Sequence, residues 1–356
     1  MLAMSLAVAQ QIVIEYMMLG VFVLGTIGSL MNIVLFSQSQ LRSNTCCTYF
    51  LASSFATLIL LSMGIIPLIY AEFNSLNPFF CINAFCKIRV YINQSSAMSC
   101  RWLLVMACVD RSVACSGNIN IRHFLTTNMT RRITVLIIII WMILPIHTLI
   151  FVNIIPPGNI ACRVTNNNMA IYHGIYTIVM GGTLPPIVML TCTRFIWKCL
   201  KRKNERRQMI NMARSEQRKN IRDQQVLIIL LAQVAVFIVS TIPFMSNNLY
   251  TTLTRKIPDK SIDRQAIENF SQVITELFVY IFPASSFYLN TLVSRTFRRE
   301  LITMFKRFST CCRKKQNHIN PNAQAQTNGR INEIPMIISR RGYISTRNRL
   351  NKPINE

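Results

Sequence analysis

Charged residues are scarce in this chain. They make up 14% of its 356 residues, where a soluble protein carries nearer about a quarter. That shortage excludes an ordinary water-soluble fold. Acids are the scarcest: 13 Asp and Glu stand against 38 Lys and Arg, a formal net charge of +25. Histidine is also rare. Four residues, none at a metal-ligand spacing, leave no metal site to propose and imply no cofactor. The 12 cysteines are too scattered for a disulfide framework or a zinc cluster.

Apolar sequence is what the chain has in quantity. Hydrophobic residues are 51% of it, bunched into runs at about 12–37, 48–70, 85–109, 133–152, 170–197, 224–249 and 268–292. Each meets the ~20 residues needed to cross a hydrocarbon core. The fourth, "ITVLIIIIWMILPIHTLIFV", has no charge at all. The third is the least clean, with Lys87 and Arg89 near its start and Arg101 in its middle. A soluble domain has no use for so many uniformly apolar helices, whereas spanning helices satisfy their own backbone groups in lipid. The expected fold is all-α: a seven-transmembrane helix bundle.

The basic residues set the expected orientation. Loop 38–47 holds one Lys/Arg, 110–132 four, 194–223 eleven and the tail from 295 fourteen, thirty of the 38 in all. Short basic loops stay cytoplasmic, which places the N-terminus outside and the C-terminus inside. Anionic lipid then accounts for the charge, and no nucleic acid is expected as a partner. "MLAMSLAVAQ" lacks a basic n-region and is too short for an h-region, so the first span is expected to be its own insertion signal. The expected organisation is a short extracellular segment, 1–11; a spanning domain, 12–292; an amphipathic membrane-surface helix, 293–312; and a disordered cytoplasmic tail, 313–356. In "FRRELITMFKRFSTCC", Phe297, Leu301, Met304, Phe305 and Phe308 share one helix face between basic residues. Cys311 and Cys312 follow as palmitoylation candidates.

Several residues at fixed places in the spans form a pattern. The first span has Gly28 and Asn32, and the third ends in Asp110-Arg111-Ser112. The fourth has Trp141, the fifth Pro185, and the sixth Phe237 and Pro243. With seven spans and this orientation, the chain resembles a rhodopsin-like (class A) G-protein-coupled receptor over about residues 12–310. The resemblance implies a receptor rather than an enzyme. Its partners would be an extracellular ligand and a heterotrimeric G protein, at the plasma membrane. It also implies a disulfide between Cys86, 25 residues before Arg111, and Cys162 in the second extracellular loop, with Cys81 as a competitor. Arg111 would be held by Asp110 and by an acid at the foot of the sixth span, Asp223, 20 residues before Pro243. The alternative for Asp223 is a charge placed at a helix N-terminus by the helix dipole. Pro243 would hinge the sixth span.

The chain departs from the family in several places. Ser112 stands for tyrosine, Thr57 for the second span's aspartate, and Ser240-Thr241 for Cys-Trp. Ser286, Phe287 and Asn290 replace the seventh span's named residues. Without the acid at Thr57, a bound sodium ion is not expected. Arg101 is the unusual residue, at mid-depth where the family has an aliphatic side chain. It either bonds carbonyls freed beside Pro185 or Pro186, in a re-wired activation core, or snorkels toward water.

The seventh run has no Lys, which argues against retinal, and Asn93 stands where amine receptors have Asp. A pocket would be lined by Asn93, Gln94, His173, Tyr176, Asn247, Asn248, Tyr250 and Glu276. Glu276 would meet a cationic group on the ligand, or else pair with Lys87 or Arg89. This polar mouth is similar to that of small-neuropeptide receptors, such as those for FMRFamide-like peptides. Two alternatives stand beside the receptor: a seven-span protein without G-protein signalling, and a seven-span transporter, against which the lack of an internal repeat counts.

Overall fold

A computed structural model describes residues 2–38, 45–73, 82–115, 126–155, 161–208, 214–255, 260–295 and 297–306. Contacts divide the chain into two units, Met1–Ile302 and Thr303–Glu356. The described residues of the first unit form seven long helices. Helix α1 runs through Leu2–Ile12, a π-turn at Val13–Met18, and Leu19–Phe36. It is helical from Leu2, so residues 2–11 continue into the span without a break. Helix α2 is Thr45–Phe73 and α3 is Asn83–Cys115. Helix α4 spans Thr127–Phe151, with a break after Ile143 where Pro145 cannot donate to the carbonyl four residues back.

A two-stranded antiparallel hairpin follows, β1 (Val152–Ile155) and β2 (Ala161–Val164), in register Val152↔Val164 and Ile154↔Cys162. Helix α5 comprises Asn167–Tyr176, a π-turn at Thr177–Thr183, and Leu184–Gln208. Asn166 caps it by accepting from the backbone N–H of Asn168 (2.9 Å) and Met169 (3.3 Å). Helix α6 is Arg214–Leu253 and α7 is Ile262–Val293, started by Ser261. Residues 297–306 are helical, with Ser294 Oγ accepting from the Phe297 N–H at 3.1 Å. Residues 307–312 of the predicted surface helix, including Cys311 and Cys312, lie outside the described residues.

The packing order puts α3 at the centre. It lies against α2, α4 and α5, while α6 lies between α5 and α7, and α7 returns to α1. Among the described residues, six helices are long and apolar enough to span a membrane, and α3 is not one of them. Its position explains this. Ser95, Ser96, Ser99, Arg101, Asp110 and Ser112 are all buried among neighbours, so no lipid contact restricts them to apolar types. The outer faces show the reverse pattern. Val135, Leu136, Ile139 and Ile143 of α4, Val239 and Ile242 of α6 and Leu292 of α7 are exposed. An apolar exterior around a partly polar interior suits hydrocarbon as the solvent.

Candidate functional site

Four groups of polar contacts run along the bundle from the foot of α3 to its start. At the foot, Asp110 is only 2% exposed. Its Oδ2 lies 3.4 Å from Arg111 Nη2 and accepts from Thr45 Oγ1 at 2.8 Å. The first turn of α2 thus shares the carboxylate that faces the arginine. Thr45 was not expected from the sequence: a threonine at a helix start carries no signal of its distant partner. The side chains of 214–226 are outside the described residues, so the Asp223 half of the expected lock is too.

Midway along the bundle, α5 has two consecutive prolines. In its π-turn the bonds run five residues back, from the Leu184 N–H to the Val179 carbonyl. The next two donors in that ladder would be Pro185 and Pro186, which have no N–H. The carbonyls they would serve are Met180 and Gly181. Trp102 Nε1 donates to Met180 O at 2.9 Å, and Arg101 Nη1 donates to Gly181 O at 3.4 Å. Two adjacent α3 side chains therefore replace the two missing donors. This is the proline-carbonyl arrangement expected of Arg101, and burial to 6% exposure is the opposite of snorkelling. The partnership of Trp102 was missed. The glycine is required by closeness: a Cβ on Gly181 would sit 2.6 Å from Arg101 Nη1 and 2.8 Å from Met98 Cε.

The same device recurs. Pro67 of α2 leaves the Met63 carbonyl without its usual donor, and Arg89 Nε donates there at 3.3 Å, with Nη2 to Gly64 O at 3.4 Å. Near the Pro145 break in α4, Tyr91 Oη donates to Met142 O at 2.7 Å. Phe237 is 1% exposed and packs edge-on to Phe282 of α7 at 5.0 Å, among Leu104, Cys108, Met189 and Ile196. Pro243 lies inside α6, which continues through it as helix. Buried Gln233 of α6 donates to Asn290 of α7 at 3.0 Å, so the residue standing in for the family's tyrosine joins α6 to α7. Thr57 is buried with its Oγ1 3.3 Å from Cys100 Sγ.

At the other end, Cys86 and Cys162 are joined, with their Cα atoms 5.8 Å apart, tying α3 to β2; Cys81 lies outside the described residues. The expected pocket residues fall into separate groups. Asn247 donates to Gln272 at 2.6 Å and accepts from Ser271 at 3.2 Å, and Gln272 donates to Glu276 at 2.7 Å. Gln94 donates to Thr177 at 3.4 Å. Asn93 Oδ1 and Asn248 Nδ2 are buried without a hydrogen-bond partner among the described residues, so both have capacity left for a ligand. His173 and Tyr176 instead face α4. His173 Nδ1 lies 2.9 Å from His147 Nε2, and Tyr176 lies tilted to Trp141 and edge-on to His147. Tyr250 Oη is engaged at the helix ends, donating to Glu268 at 3.1 Å and accepting from Arg264 at 3.0 Å.

A bundle of seven helices with an apolar exterior, a polar central helix and a charge pair at one end defines a multi-pass membrane protein of the seven-helix receptor class. The sequence matches the family described as 7 transmembrane receptor (rhodopsin family) over residues 28–288, well over half the chain. The protein belongs to that family, a family of receptors rather than enzymes. No curated protein matches the chain.

Proposed function

We propose that this receptor carries a signal from an extracellular ligand, a small peptide, to an intracellular heterotrimeric G protein at the plasma membrane. The observation that carries the proposal is the Asp110–Arg111 pair. It stands at the end of α3 remote from the disulfide, with Asp110 buried, Arg111 partly exposed, and the carboxylate shared with Thr45. The excess of Lys and Arg in the loops at that end supports a cytoplasmic placement. An arginine held there by a carboxylate is biased toward the closed arrangement. Release lets Arg111 meet a G-protein helix when α6 swings at Pro243. Arg101 and Trp102 couple α5 to α3 midway, in place of the family's apolar contact.

The ligand enters at the disulfide end. Asn93 and Asn248 supply unfilled hydrogen-bonding capacity, and Glu276 meets a cationic group. The matched family favours the receptor over the transporter alternative. The experiment is a library of peptides, amines and lipids applied to cells expressing the chain, with calcium and cyclic-AMP readouts. A peptide is expected to evoke a response that Arg111→Ala abolishes. A response only to amines or lipids overturns the ligand class. Silence throughout, with Arg111→Ala without any effect, favours the non-signalling alternative.

A further inference from the structure

We propose that His147 and His173 form a zinc-binding site joining α4 to α5. The two side chains come from different helices at the bundle end that carries the disulfide. His147 lies five residues before the hairpin begins and His173 six residues into α5. Both are half-buried, close to the hairpin end of their helices. His147 Nε2 and His173 Nδ1 point at one another across 2.9 Å. A zinc ion with bonds of about 2.0–2.1 Å and a tetrahedral angle holds two nitrogens about 3.3–3.4 Å apart. Opening the rings by about half an ångström admits the ion, a rotamer adjustment rather than a backbone shift.

The surroundings orient the first ring. His147 Nδ1 lies 3.1 Å from the Leu144 carbonyl, to which it can only donate. That fixes the tautomer and leaves Nε2 with its lone pair toward His173. Imidazoles that ligate zinc are held through the other nitrogen in this manner. The proton between the rings then belongs to His173 Nδ1. Zinc takes its place and both nitrogens become ligands; as the Nδ1 proton leaves, His173 regains one from solvent at Nε2, so the ring stays neutral and no net proton is released. Tyr172 stands edge-on to His147 at 5.2 Å, and Tyr176 edge-on at 5.5 Å. They wall the pair on the ring side. Among the described residues no group of three or more His, Cys, Asp or Glu is placed to hold a metal. Water therefore completes the shell, which is that of a modulatory site with an open position rather than a structural one. Twenty-six residues separate the two histidines, so no sequence spacing announces the site.

The full chain, purified in detergent, is titrated with zinc chloride while thermal unfolding is followed. Zinc is expected to raise the unfolding temperature of the wild type. His147→Ala and His173→Ala are expected to raise the half-effect concentration about tenfold or more, since even outer-shell losses weaken zinc sites 10–100-fold. The remaining histidines are the control: the His123→Ala, His318→Ala double variant is expected to respond as the wild type does. His147→Gln and His173→Gln, checked for a normal unfolding temperature without zinc, serve if the alanine variants fold poorly. An unresponsive wild type overturns the proposal. So does a response that survives loss of either His147 or His173, or one that disappears with His123 and His318. The readout needs no ligand or G protein, so its failure leaves the Arg111 proposal untouched.

Discussion

At the scale of single residues, Asp110 is the one whose neighbours make the clearest demand. Its Oδ2 serves two partners, Arg111 beside it and Thr45 from another helix. A hydrogen bond to a charged group is worth about 1.5–3 kcal/mol, so the threonine is not incidental. Asp110→Asn removes the charge that holds Arg111 and is expected to raise basal signalling in transfected cells. Thr45→Val is expected to raise it less, because the ion pair remains. A Thr45→Val chain with unchanged basal activity and unchanged abundance removes Thr45 from the switch. Gly181 makes a second demand. Gly181→Ala places a methyl against Arg101 and Met98, and overpacking of this kind costs about 1–3 kcal/mol. A lowered unfolding temperature of the purified protein is expected. An unchanged one means that the guanidinium moves aside freely.

At the scale of elements, α3 reads differently from the other helices because it answers their prolines. Pro67 in α2, Pro145 in α4 and Pro185-Pro186 in α5 each interrupt a backbone ladder, and Arg89, Tyr91, Arg101 and Trp102 donate beside those interruptions. In a membrane, proline is tolerated where neighbouring helices supply the lost bonds. The polar character of α3 is thus a property of the set of helices. The double replacement Pro185→Ala, Pro186→Ala returns backbone donors to Met180 and Gly181. Combined with Arg101→Leu in a double-mutant cycle, it is expected to show a coupling of about 0.5–3 kcal/mol in unfolding free energy. Simple additivity means that Arg101 and the prolines act apart. This is also where the sequence was partly legible. Arg101 could be matched to the prolines because an intramembrane arginine needs carbonyls, and the adjacent prolines advertise them. Trp102 could not, because an indole N–H is inconspicuous in an apolar run. Arg89 was named only as a possible partner of Glu276, because its position near the start of α3 hid the Met63 carbonyl that Pro67 leaves without a donor.

At the scale of the whole molecule, six of the seven runs were plainly apolar because lipid imposes one rule on outward faces, while the third, buried as α3, is the exception. The bundle and its family follow from them. What the runs do not specify is how interior polar groups pair across helices. His173 and Tyr176 were placed with the ligand pocket by depth along α5, yet they turn toward His147 and Trp141 of α4. Depth follows from counting residues, whereas rotation follows from packing. The Gln233–Asn290 bond between α6 and α7 was likewise invisible, since neither residue names its partner. The central claim for the assembly is that Arg111 is the output of the bundle. It is tested most directly by nucleotide exchange on a panel of purified heterotrimeric G proteins, with the receptor in lipid nanodiscs. The account predicts that the Asp110→Asn chain accelerates exchange on at least one G protein, and that adding Arg111→Ala abolishes the acceleration. Exchange at the uncatalysed rate on every G protein, or acceleration that persists without Arg111, would contradict it.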